Sequence, residues 1–115
     1  MPHKTDGEAA VLEAIAAMPD ADRSMGERLH RIITTNAPDL TPRTWYGMPA
    51  YANAAGKIIC FFRSRQKFGE RYLTLGFNDS ARLDDGSFWP ISYALTELSD
   101  TDETNIAALI KRATR

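Results

Sequence analysis

Cysteine is nearly absent from this 115-residue chain, and Cys60 alone cannot form an internal disulfide. A domain of this length buries about two thirds of its unfolded surface and holds a core without such a staple, so a reducing cytoplasm is the expected location. Net charge is nearly absent too. Fourteen basic residues against 15 acidic leave −1, which removes the electrostatic case for bulk binding to nucleic acid or to a membrane surface. The longest apolar runs, such as Ile58-Ile59-Cys60-Phe61-Phe62, fall far short of the ~20 residues that span a bilayer. The opening Met-Pro-His-Lys-Thr-Asp-Gly-Glu has no apolar stretch of the kind a secretory signal needs. There is no internal repeat, no phosphate loop, no Gly-x-Ser-x-Gly and no Gly-x-Gly-x-x-Gly. With no cluster of Cys and His, a zinc site is not expected.

Aromatics are missing from both ends. All eleven lie between Trp45 and Tyr93, so the first 44 residues and the last 22 have none. Those ends read as aliphatic helices. Thr5 and Glu8 have capping-box spacing, and Val11, Leu12, Ile15 and Met18 follow on one face. Pro19 and Asp20 break the pattern. Ser24 and Glu27 repeat the capping spacing ahead of a stripe of Met25, Leu29, Ile32 and Ile33, which Pro38 ends near Asn36. At the other end Ser99, Asp100 and Thr101 are good caps, with Asp100 and Glu103 spaced as a capping pair. Ile106, Leu109, Ile110 and Ala113 then form a buried face, and Lys111, Arg112 and Arg115 complement the helix dipole.

Between about Thr44 and Leu98 the pattern is that of strands. Ile58–Phe62 is a continuous β-prone run, which predicts a central strand covered on both faces. In 72–77 Leu73, Leu75 and Phe77 share a face. Tyr93–Leu98 and Ala50–Ala52 are weaker candidates, with Trp45 and Tyr46 adding a short piece. The connections are too short for parallel crossovers. The expected fold is therefore one α+β domain over residues 1–115: an N-terminal helical hairpin, a mostly antiparallel sheet of about 4–6 strands, and a C-terminal helix.

Charge divides along these sections. Lys57–Arg82 carries six basic residues against Glu70 and Asp79, whereas Leu83–Ile110 carries six acidic residues and no basic one. The two segments either face each other, form opposite poles or are simply solvated surfaces.

Trp45-Tyr46-Gly47-Met48-Pro49-Ala50-Tyr51 is the most specific stretch. Together with Ala37-Pro38-Asp39, the strand at Lys57–Phe62, Leu75-Gly76-Phe77 and the terminal helix, it resembles the YdhG-like family, domain of unknown function 1801. The resemblance covers nearly the whole chain. It implies an antiparallel sheet packed by helices and little about activity. One branch of the family is described as a frataxin-like intracellular iron chaperone. Members often carry a His before the Leu-x-Leu strand, where this chain reads Phe68-Gly69-Glu70-Arg71-Tyr72.

Read as chemistry, Trp45, Tyr46, Met48 and Tyr51 bracket a rigid bend fixed by Gly47 and Pro49, and either wall a ligand pocket or anchor the core. Arg63, Arg65, Lys67 and Arg71 lie near the central strand, with Arg63 and Arg65 on one face if the strand reaches them, and this group either clamps an anion or guards an edge. Trp89-Pro90 lids a pocket or covers a sheet edge. The expected function is non-catalytic binding of a small molecule or a protein, a second copy of this chain included, with no cofactor. The alternative is iron held by Asp84, Asp85, Asp102 and Glu103, although helix capping also accounts for the last two. A third reading is a minor activity using a Tyr or Cys60. That thiol lies among apolar neighbours, and neither His3, at a frayed terminus, nor His30, beside the Leu29 stripe, has the spacing of a dyad partner.

Overall fold

The computed structural model describes residues 4–115, with side chains from Gly7 onward. His3 and the side chain of Thr5, and with it the first capping pair, lie outside the described residues. Two helices, α1 (Lys4–Ala16) and α2 (Asp20–Asn36), precede five strands. These are β1 (Thr41–Trp45), β2 (Met48–Ala52), β3 (Ile58–Arg63), β4 (Leu73–Phe77) and β5 (Ser92–Leu95), and α3 (Asp100–Ala113) closes the chain. The strands form one sheet in sequence order, every pair antiparallel. This is the α+β architecture the sequence predicts. Among the described residues no helix is long and apolar enough to cross a membrane.

The helix stripes do most of the packing. Val11 and Ile15 of α1, and Met25, Leu29, Ile32 and Ile33 of α2, are buried with Ile106, Ile110 and Ala113 of α3. Leu12 departs from its expected place and is exposed. Two boundaries also move. Helix α2 begins at Asp20, four residues before Ser24, with Pro19 at its N-cap and no side-chain cap. Helix α3 is capped by Ser99 with Asp102, one residue earlier than the Asp100–Glu103 pair.

Register shows which residues share a face. Tyr51, Cys60 and Phe77 lie side by side across the sheet, as do Phe62 and Leu75. All five are buried in the cluster formed with the helices. The opposite face carries Trp45, Ala50, Phe61, Gly76 and Ala94. The expectation that β3 is covered on both faces is therefore corrected. A register shift at Ala52 sets Ala52 against Ile58 and Tyr51 against Cys60, a β-bulge that sends both Ile59 and Cys60 inward. The apolar run thus serves one core, with half-buried Phe61 on the outside. The Phe61 ring lies flat over Gly76, where a Cβ would sit 2.4 Å from the ring.

One polar chain crosses the core. His30 is buried on α2. Its Nδ1 lies 2.8 Å from the Tyr51 hydroxyl, and its Nε2 lies 3.4 Å from the Glu8 carboxylate. Burial holds the imidazole below its ordinary 6.5, and nearby Glu8 offsets only part of that effect. The unfolded chain then takes up a proton near pH 6.5 while the folded chain does so at lower pH. Over that window the unfolded state binds more protons, so stability is full above about pH 6.5 and is lost as pH falls below it. Urea midpoints at about pH 7.5 and pH 5 should show this loss, and His30→Gln should flatten it. An unchanged slope in His30→Gln would assign the acid sensitivity to other groups.

Candidate functional site

Trp45 pairs with Met48, leaving a two-residue hairpin loop of Tyr46 and Gly47. Both have positive φ, 52° and 76°, the geometry of a type I′ turn. Gly47 adopts this freely, but a tyrosine in the left-handed region is uncommon and strained. Pro49 sits inside β2 rather than in the bend. Its partner Thr44 is one step beyond the hairpin-closing pair, so its missing N–H faces β3, whose pairing with β2 begins only at Ala50. The strained tip holds Tyr46 77 % exposed. Its ring meets Trp45 edge-on at 5.0 Å, and Trp45 continues to Phe61 at 5.3 Å.

Strand β3 ends at Arg63, so the pair of parallel arginines does not form. Arg63 turns to Glu70, with Nε donating at 3.1 Å, and its guanidinium lies 4.9 Å from the centre of the Phe68 ring. Ser64 caps a short 3-10 turn, Arg65–Lys67. Arg65 folds back onto Asp22, whose carboxylate is 1 % exposed. That carboxylate accepts from the Arg65 Nε at 2.8 Å, the Arg65 backbone N–H at 2.9 Å and the Ser64 hydroxyl at 2.8 Å. The turn then carries Lys67 across to the hairpin, where its ammonium donates to the Tyr46 carbonyl.

The result is a cavity of about 270 Å³ at this end of the sheet. Ala14, Ala17, Met18, Met48 and Pro49 supply an apolar wall, and Ser64, Gln66, Lys67 and Arg63 supply polar groups. Of the seven aromatic, methionine and arginine candidates, Met48 and Arg63 line this cavity, while Trp45 and Tyr46 flank its hairpin. Tyr51 points into the core with its hydroxyl engaged by His30. Arg65 is held by Asp22, and Trp89 packs against the core from the loop before β5. Cys60 is fully enclosed, and its thiol is pushed up to about 12 by burial.

The four acidic candidates separate. Asp84 and Asp85 follow Arg82 and Leu83, whose backbone groups bond Ala113 and Arg112 at the C-terminal end of α3. Asp102 and Glu103 lie in its first turn, nearly a 14-residue helix away, or roughly 20 Å. Asp102 completes the cap of Ser99, whose backbone N–H donates to the Asp102 carboxylate at 3.0 Å and holds that carboxyl below the ordinary range. Glu103 accepts from Arg28 at 2.9 Å. Among the described residues no three His, Cys, Asp or Glu side chains come together as a metal-holding group.

The sequence reading singled out Lys67 among the basic residues near β3, but missed Asp22 as a builder of this end. It also missed a broad depression of about 970 Å³ at the opposite pole, between the ends of α2 and α3. Asp39, Asp79, Asp84, Arg82 and Arg115 line that depression with both signs of charge. No protein-family model, curated protein or solved structure matches the chain.

The hairpin tip yields a direct test. Tyr46→Asn replaces a strained tyrosine with a residue suited to a type I′ turn, and should raise stability by about 0.5–1 kcal/mol in urea unfolding. A loss of more than about 1 kcal/mol would show that the contact with Trp45 outweighs the backbone strain.

Proposed function

We propose that this chain is a cytoplasmic, non-catalytic binding domain of the YdhG-like family, taking a small organic anion with a short apolar body in the cavity beside the Tyr46–Gly47 hairpin. The observation that carries this reading is the mixed lining of that cavity. Two methionines and Pro49 face it together with Lys67, the one cation there that no carboxylate neutralises among the described residues. An ammonium at the mouth of an apolar pocket suits a carboxylate or phosphate head with its tail turned inward. The volume is below the usual ligand-pocket range of about 300–1,000 Å³ and limits the body to a few carbons.

Other features support the reading. The strained, exposed Tyr46 adjoins Gly47 of the cavity lining, and strain of this kind concentrates at functional sites. The most specific part of the YdhG-like resemblance, Tyr-Gly-Met-Pro-Ala-Tyr, supplies Gly47, Met48 and Pro49 to the cavity. The thiol and the histidine of the core lie away from it, which favours binding over turnover. A lone, enclosed cysteine is compatible with a reducing compartment.

Hexanoate is a suitable probe, with hexylamine as its charge-reversed control. Titration of the isotopically labelled chain with hexanoate should shift the amides of Gly47, Met48, Gln66 and Lys67, with hexylamine inactive. Lys67→Met should weaken binding by about tenfold, near 1.4 kcal/mol. Shifts confined to other regions, or equal affinity in Lys67→Met, would overturn the proposal.

A further inference from the structure

We propose that the open edge of β5 and the groove beside it accept an extended, basic peptide segment as a sixth strand. Strand β5 is the last of the sheet and pairs only with β4. The Phe77 N–H donates to the Ile91 carbonyl at 2.8 Å, which sets the phase of the ladder. Ile91, Tyr93 and Leu95 therefore direct their backbone groups toward β4, and Ser92 and Ala94 direct theirs outward. Among the described residues these outward groups have no partner. The other edge, β1, is covered by α1.

A groove of about 480 Å³ runs between this edge and α3. Tyr93, Leu95, Ile106 and Leu109 supply its apolar wall, and Glu97 and Asp102 supply negative charge. A strand added at β5 would bond to Ser92 and Ala94 through its main chain and direct alternate side chains into the groove. The charge decides the occupant. Of the residues that line the groove, Glu97 and Asp102 are acidic and none is basic. A lysine- or arginine-bearing segment complements it, whereas a second copy docked edge to edge would set Glu97 near its own counterpart.

The test uses two ten-residue probes, one alternating valine with lysine and one alternating valine with glutamate. The valine–lysine peptide should shift the amides of Ser92–Glu97 and of Ile106 and Leu109, and the valine–glutamate peptide should not. Ala94→Pro removes an outward N–H and leaves the bonds to β4 intact, so it should weaken binding by about tenfold or more. Glu97→Lys, a surface change that keeps the fold, should weaken it as well. Thermal unfolding checks that both variants are folded. Equal binding of the two peptides, no shift at β5, or affinity unchanged in both variants would overturn the proposal. So would concentration-dependent self-association with β5 shifts in the peptide-free chain. These results are independent of the hexanoate titration, which reads the β1–β2 hairpin and the turn after β3.

Discussion

The buried carboxylate of Asp22 is the interaction on which the cavity depends. It sits in the first turn of α2 and takes three donors from two consecutive residues at the end of β3. Removing one partner of a buried pair of this kind costs about 3–5 kcal/mol, because the other is left buried and uncompensated. Its geometric consequence is larger than its energy. That anchor fixes Ser64 and Arg65 where the chain leaves the strand at Arg63, winds into a 3-10 turn and brings Lys67 to the Tyr46 carbonyl. The hairpin alone would present two aromatics and a methionine, but no cavity with a cation at its mouth.

A second constraint is the one-sidedness of the sheet. All three helices contribute to the cluster on the face that holds Tyr51, Phe62 and Leu75. The bulge at Ile59 and Cys60 turns an unbroken apolar run to that single core. It leaves the outer face to Trp45, Phe61 and the glycine beneath that ring. The block of aromatics between Trp45 and Tyr93 is thus divided by the strand pleat. Tyr51, Phe62 and Phe77 serve the interior, while Trp45, Tyr46 and Phe61 run as a chain of ring contacts toward the hairpin tip.

Element order, sheet sense and the helix stripes were legible because they rest on local periodicity and on loops too short for parallel crossovers. The bulge was not, since a continuous apolar run is compatible with burial on one face or on two. Arg63 and Arg65 share a face only while the strand continues, and what stops it is Asp22, some forty residues earlier in the sequence. One usable signal was present. Asp22, Gly26 and His30 recur every fourth residue beside the apolar stripe of α2. A small residue between two polar ones on a helix face marks a close approach with buried hydrogen bonds on either side. In the structure Gly26 meets Ile15 and the Phe62 ring, with Asp22 and His30 buried above and below.

The two ends of the sheet thus have different characters. One is built by a carboxylate clasp and presents a cation, and the other combines both signs in a wider depression. The dependence of the cation-bearing end on the clasp can be measured directly through hexanoate affinity in Asp22→Asn, with Lys67 left intact. If Asp22 positions the 3-10 turn, a folded Asp22→Asn chain should bind about tenfold or more weakly, as Lys67→Met does. Affinity equal to that of the parent chain would contradict the account, because Lys67 would then reach the site without the clasp.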